Sequence, residues 1–232
     1  MPGRIMKFPI VVMALAGFFL FHGFGTPAFA ERVWDDELNR YLTPEELGQE
    51  DVYLTPEDAS KLMFPKSESI RQTTLTLTPE QKNRIQDRIG WKFPEMSFDC
   101  FIGETQGQTD GWAIIQHTIG KHKPMTYMVG VTPEGEISNV EVLVYRESRG
   151  SEVRTKRFNY QYEGKNLSDP IRINRDIINI SGATMSVRSM SAGAKRVLVL
   201  VEEFYLKSQG GNRNIHTASR NEKGLLESLL GL

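Results

Sequence analysis

The chain of 232 residues has a single cysteine, Cys100. One thiol excludes an internal disulfide, a cysteine-ligated iron–sulfur site and a paired-cysteine haem attachment. Its neighbours Phe98 and Phe101 place it in a strand as a small core residue. Histidine is scarce as well. Beyond residue 30 only His117, His122 and His216 remain, and they show no metal-ligand spacing. Charge of either sign is lacking in net terms, at −1, so nothing points to nucleic acid or to an acidic surface partner. Long apolar runs are missing too. Phe8 to Phe21 is almost continuously apolar but holds only fourteen residues, where a membrane-spanning helix needs ~20. No standalone catalytic set emerges.

What is present at the start reads as a targeting segment. Arg4 and Lys7 form a basic region ahead of the apolar run, and Ala28-Phe29-Ala30 is a small-x-small cleavage site. Residues 1–30 are therefore expected to be a signal peptide, with Glu31 as the mature N-terminus and the bacterial periplasm as destination. The alternative is an uncleaved membrane anchor. Cleavage would remove the two cations Arg4 and Lys7, taking the formal charge from −1 to −3.

Residues 31–95 read as a helical N-terminal extension. Leu-Thr-Pro-Glu begins at Leu42, Leu54 and Leu77, each a helix start with a capping Thr, Pro in the first turn and Glu at the positive end of the dipole. Thr43 with Glu46 and Thr78 with Gln81 complete capping boxes. The second helix should turn Ala59, Leu62 and Met63 inward. The third should bury Ile85 and Ile89 and stop at Gly90. From residue 96 the period changes. Met96, Phe98, Cys100 and Ile102 alternate with polar residues, and 112–118, 126–131 and 137–145 are β-branched and aromatic. Pro133-Glu134-Gly135-Glu136 is a hairpin turn between the last two. An antiparallel sheet follows from this, and with the helices an α+β fold, with 96–207 as its main domain. A short helix is expected over Phe158–Tyr162. The run Val197–Val201 fits a buried helix or a buried strand by periodicity, and Ala192–Ala194 leans toward helix. Residues 208–232 read as a polar linker and an apolar tail that either docks on the domain or binds a partner.

Ser181-Gly182-Ala183-Thr184 precedes that last segment. Gly182 tolerates any backbone angle and Ala183 adds almost no bulk, so the Thr184 hydroxyl is presented on an open knuckle. The plain alternative is a turn whose Ser and Thr cap the next helix.

Around this turn the chain resembles the FMN-binding domain family, which includes the C subunit of sodium-pumping NADH:quinone reductase and the G subunit of the Rnf complex. The resemblance runs over roughly 97–206. It is carried by Gly111–Ile115, Gly120-Lys121-His122, Met125–Val131, the strand Glu141–Tyr145 ending in a Glu147-x-x-Gly150 turn, Phe158, Gly164-Lys165 and the Ser-Gly-Ala-Thr turn. It implies FMN bound covalently as a phosphoester on Thr184, with Ser181, Gly182, Ala183 and Ser186 around it. It also implies an FAD-dependent flavin transferase for attachment, and an exported electron carrier working with a membrane redox protein or quinone-linked complex. The family usually has Asp three residues before the Ser, where this chain has Ile178, with Asp176 and Asn179 nearby. That departure is the chief argument for the other function class, a non-redox binding module that keeps the fold without the cofactor.

Two readings stand for each remaining candidate. His122 is a solvent-exposed turn residue or a flavin contact. Glu147 and Gly150 form only a turn, or a turn that lets backbone approach the flavin. Ser186 is a first-turn helix residue or a ligand group. Arg188 is a solvated arginine or a partner of the FMN phosphate, aided by helix amides and dipole.

Overall fold

Six strands, all antiparallel to their neighbours, make the sheet that organises the protein. The computed structural model describes residues 33–35, 38–47 and 51–207. In chain order the described elements are β1 (Trp34–Asp35), β2 (Arg40–Tyr41), α1 (Pro44–Leu47), β3 (Asp51–Val52), α2 (Pro56–Met63), β4 (Ser69–Thr76), α3 (Pro79–Ile89), β5 (Ser97–Thr105), β6 (Gln108–Ile119), β7 (Pro124–Val131), β8 (Ile137–Tyr145), α4 (Lys156–Asn159) and α5 (Thr184–Val201). One 3₁₀ turn precedes α4, another follows it, and a π-helical turn, Glu202–Leu206, ends α5. The main sheet runs β3-β8-β7-β6-β5-β4, while β1 and β2 pair separately. The result is an α+β fold with a curled antiparallel sheet packed against helices.

The sheet is covered on both faces, which is why its strands lose polar alternation. β7 is buried at every position. One face carries Cys100, Ile102, Trp112, Ile114, Tyr127, Val129 and Val142, packed against Val187, Met190, Ala194 and Val197 of α5 and Ile85 of α3. The opposite face sets Phe101, Ala113, Ile115, Met128 and Leu143 against Ala59, Met63 and Phe64 at α2. Gly193 lets α5 close on the sheet, because a Cβ there would overlap the Tyr127 hydroxyl. That hydroxyl donates to the Ser189 carbonyl at 3.3 Å.

Capping chemistry works as the sequence indicates. Thr78 and Gln81 form a reciprocal box at α3, which stops at Gly90 in the left-handed region (φ 70°). Thr43 and Glu46 exchange the same pair of bonds. Leu62 departs from expectation. It is 41% exposed, because α2 turns Ala59 and Met63 to the sheet and leaves Leu62 on the outer side. The segment before residue 96 is also not wholly helical. Ser69–Thr76 is an edge strand paired with β5 along its length, from Ser69 opposite Glu104 to Thr76 opposite Ser97. Segment 192–206 is helical throughout.

Arg196 ties the approach to β5 onto α5. Its side chain is buried, donates from Nε to Gln116 Oε1 (2.6 Å) and pairs through Nη1 with Glu95 (3.3 Å). Its guanidinium lies 4.8 Å from the Trp91 ring centre and 5.1 Å from those of Phe93 and Phe98. Each such contact contributes about 0.5–2 kcal/mol depending on desolvation. Trp91 is therefore fixed beside α5. Among the described residues no helix is long and apolar enough to cross a membrane. The expected signal peptide and the linker and tail from 208 lie outside the described residues.

Candidate functional site

Three turns meet at the start of α5. The first is prepared by Asp176. Its carboxylate accepts backbone bonds from Ile171 (3.0 Å) and Arg172 (2.8 Å) and pairs with Lys165 (3.1 Å). Partial burial opposes its ionisation. The amide of Arg172, the Lys165 ammonium and the amide of Ile171 outweigh that and hold the carboxyl below its ordinary range. This loop, with Ile171 and Asn174 in the left-handed region (φ 46° and 61°), delivers the chain to Ile178. The Ile178 amide donates to Gln161 Oε1 (2.6 Å), and its side chain is 78% exposed.

The Ser-Gly-Ala-Thr turn follows, with Gly182 at φ 83° and the Ala183 amide bonded to the Ile180 carbonyl (3.0 Å). Helix α5 starts at Thr184 with Ala183 in the capping position, and no side chain caps it. The plain alternative, a turn whose Ser181 and Thr184 cap the helix, is thus not met. Amides of the first turn have no partner within the helix, and here no cap replaces one. Thr184 is half-buried. Its Oγ1 accepts from Asn179 Nδ2 (2.9 Å), which leaves the hydroxyl proton and a lone pair for other use.

Glu147 organises the second turn. Its Oε1 accepts the amides of Lys121 (2.6 Å), His122 (2.6 Å) and Lys123 (2.9 Å). A carboxylate oxygen holding three amides makes this turn rigid. Gly120 fits between, since a Cβ there would lie 2.9 Å from Ser186 Oγ and 3.0 Å from Glu147 Oε1.

Gly150 joins the third turn to the first. It sits at φ 83°, and a Cβ on it would overlap that of Ala183. Tyr145 donates to the Arg149 carbonyl (2.7 Å) and shares a 3.3 Å hydrogen bond with Ser186 Oγ. Burial pushes its phenol above the ordinary range, against the lowering effect of the Ser186 bond.

Thr184 stands on the ridge between two clefts. One, about 560 Å³, has Lys121, His122, Glu147, Arg149 and the 182–186 turn on its walls. The other, about 370 Å³, lies behind Thr184 and is lined by Trp91, Ile171, Ile173 and Arg188 among others. His122 and Arg188 are exposed and Ser186 is buried. The structure thus gathers His122, Glu147, Gly182, Ala183, Thr184 and Ser186 around the polar cleft. Gly150 sits behind Ala183, Ser181 is exposed in the adjoining turn, and Arg188 falls one turn along, on the other side. Sequence reasoning did not single out Asn179 as a partner of the Thr184 hydroxyl. Nor did it single out Tyr145, although the latter lies two residues before Glu147.

Residues 120–199 match the family model described as the FMN-binding domain. Among solved structures, NqrC of Shewanella oneidensis is 14% identical over 65% of this chain and 88% of its own, with a TM-score of 0.46. The Na(+)-translocating NADH-quinone reductase of Parabacteroides distasonis has a C subunit that is 15% identical over 55% of this chain and 77% of its own, with a TM-score of 0.36. No curated protein matches the sequence. The Glu147 clamp, the Gly150–Ala183 contact and the start of α5 at Thr184 fall within the segment that matches the FMN-binding domain.

Proposed function

We propose that the protein is an exported electron carrier that holds FMN through a phosphoester on Thr184 Oγ1. The observation that carries this is the uncapped start of α5. The Thr184 hydroxyl is the first side chain of a helix whose first-turn amides have no side-chain cap, on a ridge between two clefts. The residues fit the group. Free amides and the helix dipole favour a phosphate there, and Lys121, Arg149 and Arg188 line the adjoining walls.

Bound FMN would supply one- and two-electron transfer. The chain's own residues do the holding. In attachment, Thr184 loses its hydroxyl proton and gains an Oγ1–P bond, while FAD on the transferase gives up AMP. Asn179 orients the hydroxyl. Glu147, through three amides, and Gly150, through Ala183, keep the turn in place. Covalent tethering suits a periplasmic protein, because a dissociable cofactor would be lost outside the cytoplasm. The redox partner would be a membrane flavoprotein or quinone-linked complex.

A cofactor-free binding module is the second reading, and the exposed Ile178 favours it, standing where the family pattern has Asp. Intact mass of the chain co-expressed with a flavin transferase separates the two. An FMN adduct supports the carrier, and an unmodified chain supports the module.

A further inference from the structure

The cleft behind Thr184 combines two kinds of lining residue. Ile89, Trp91, Pro170, Ile171 and Ile173 give it apolar walls. Its charged residues are Arg172, Arg188 and Lys195, with no carboxylate among them. The nearby cations Lys165 and Arg196 are ion-paired, with Asp176 and Glu95. Among the described residues no carboxylate pairs with the side chains of Arg172, Arg188 or Lys195. Helix α5 sets Arg188 and Lys195 on one face, two turns and about 10 Å apart. Ser191 and Ala192 stand between them in the cleft wall. The Ser191 hydroxyl donates to the Val187 carbonyl (2.8 Å) and so accepts from Tyr162 (2.9 Å). The helix surface between the two cations is therefore low in bulk and has no donor to spare.

We propose that this rear cleft is a second ligand site, separate from the polar cleft in front of Thr184, and that it binds a compact aromatic carboxylate. Apolar walls remove the ring from water, and the cations receive the carboxylate. An aromatic body is favoured over an alkyl one by Trp91. That ring is held in place, with Arg196 4.8 Å from its centre and Phe93 edge-on at 6.4 Å. The volume, about 370 Å³, is at the small end of the ~300–1,000 Å³ range of ligand pockets, so the ligand is compact. Trp91 lies before residue 120, outside the segment that matches the FMN-binding domain. Part of the site is therefore supplied by the N-terminal part of this chain. Thr184 lines both clefts, so the ligand lies across that residue from whatever the front cleft holds. The assignment does not depend on Thr184 carrying FMN.

The test is calorimetric titration of the full chain, prepared with and without a co-expressed flavin transferase, with naphthoate as the probe. Both preparations should bind it. Naphthylmethylammonium, with the same ring and the opposite charge, should not bind, and decanoate, an anion without a ring, should bind severalfold more weakly. Lys195→Gln and Arg172→Gln remove charge at the surface and should each weaken naphthoate severalfold with unchanged thermal unfolding. Ala192→Phe, which fills the cleft from α5, should abolish binding, and Ser148→Phe, on the polar cleft, should leave it unchanged. No binding of naphthoate by wild type overturns the proposal. So does equal binding of the cation or of decanoate, or affinity that responds to Ser148→Phe and not to Lys195→Gln and Ala192→Phe. Loss of binding only on chains that carry the flavin adduct would assign this cleft to the flavin and overturn the proposal while leaving the FMN reading in place.

Discussion

Replacing Gly150 with Ala tests how the site is built. The backbone sits at φ 83°, where an L side chain costs about 1–2 kcal/mol. The new Cβ would also overlap that of Ala183, which is 3% exposed and has little room to retreat. Overpacking of this kind costs about 1–3 kcal/mol. The sum, about 2–5 kcal/mol, corresponds to a fall in Tm of roughly 4–20 °C for a chain of this size. The two parts are separable. Ala183→Gly removes the overlapping methyl, so the double variant should recover the overpacking part and keep the backbone part. Thermal unfolding of wild type, both single variants and the double variant gives a full cycle. The flavinylated fraction should fall in Gly150→Ala more than stability alone dictates, because the displaced residue precedes Thr184. A Gly150→Ala chain as stable as wild type, or strictly additive effects in the cycle, would refute the reasoning.

Three further outcomes follow from the same geometry. Gly193→Ala should lower stability by about 1–3 kcal/mol despite Ala's better helix propensity, since its methyl would meet the buried Tyr127 ring; denaturant titration reads this. Asp176 has a folded-state pKa below its unfolded value, so its contribution is complete above ~pH 4 and is lost as pH falls through the folded value. Protection of the 171–177 amides, taken relative to their intrinsic exchange rates, should accordingly fall at acid pH in wild type, and Asp176→Asn should remove that fall. Ile178→Asp should raise the flavinylated fraction under limiting transferase, and an unchanged fraction would show that the position is not read.

Much of the fold was legible because local chemistry and tertiary demand agree. The caps at Thr43 and Thr78 bond residues three apart, so sequence spacing displays them. Strands β5 to β8 show in their β-branched runs because both sheet faces are buried. Strand β4 escaped notice for the opposite reason. It is an edge strand whose only buried residue is Leu75, and Arg71, Gln72, Thr74 and Thr76 face solvent. Leu62 misled because a helix of two turns has few apolar positions from which to fix its inward face. The open knuckle at Thr184 was visible in Gly182 and Ala183. The clamp was not, since Glu147 reaches amides 24–26 residues away and such contacts have no sequence period.

The central claim rests on one hydroxyl. Thr184→Ala removes it at the first position of α5, adds no bulk and leaves the Gly150–Ala183 contact intact. Intact-mass spectrometry of wild type and Thr184→Ala, each co-expressed with a flavin transferase, should show one FMN phosphoester on the wild type. The variant should carry none, with its thermal unfolding within a few degrees of wild type. The same adduct on Thr184→Ala, or none on the wild type, would contradict the account.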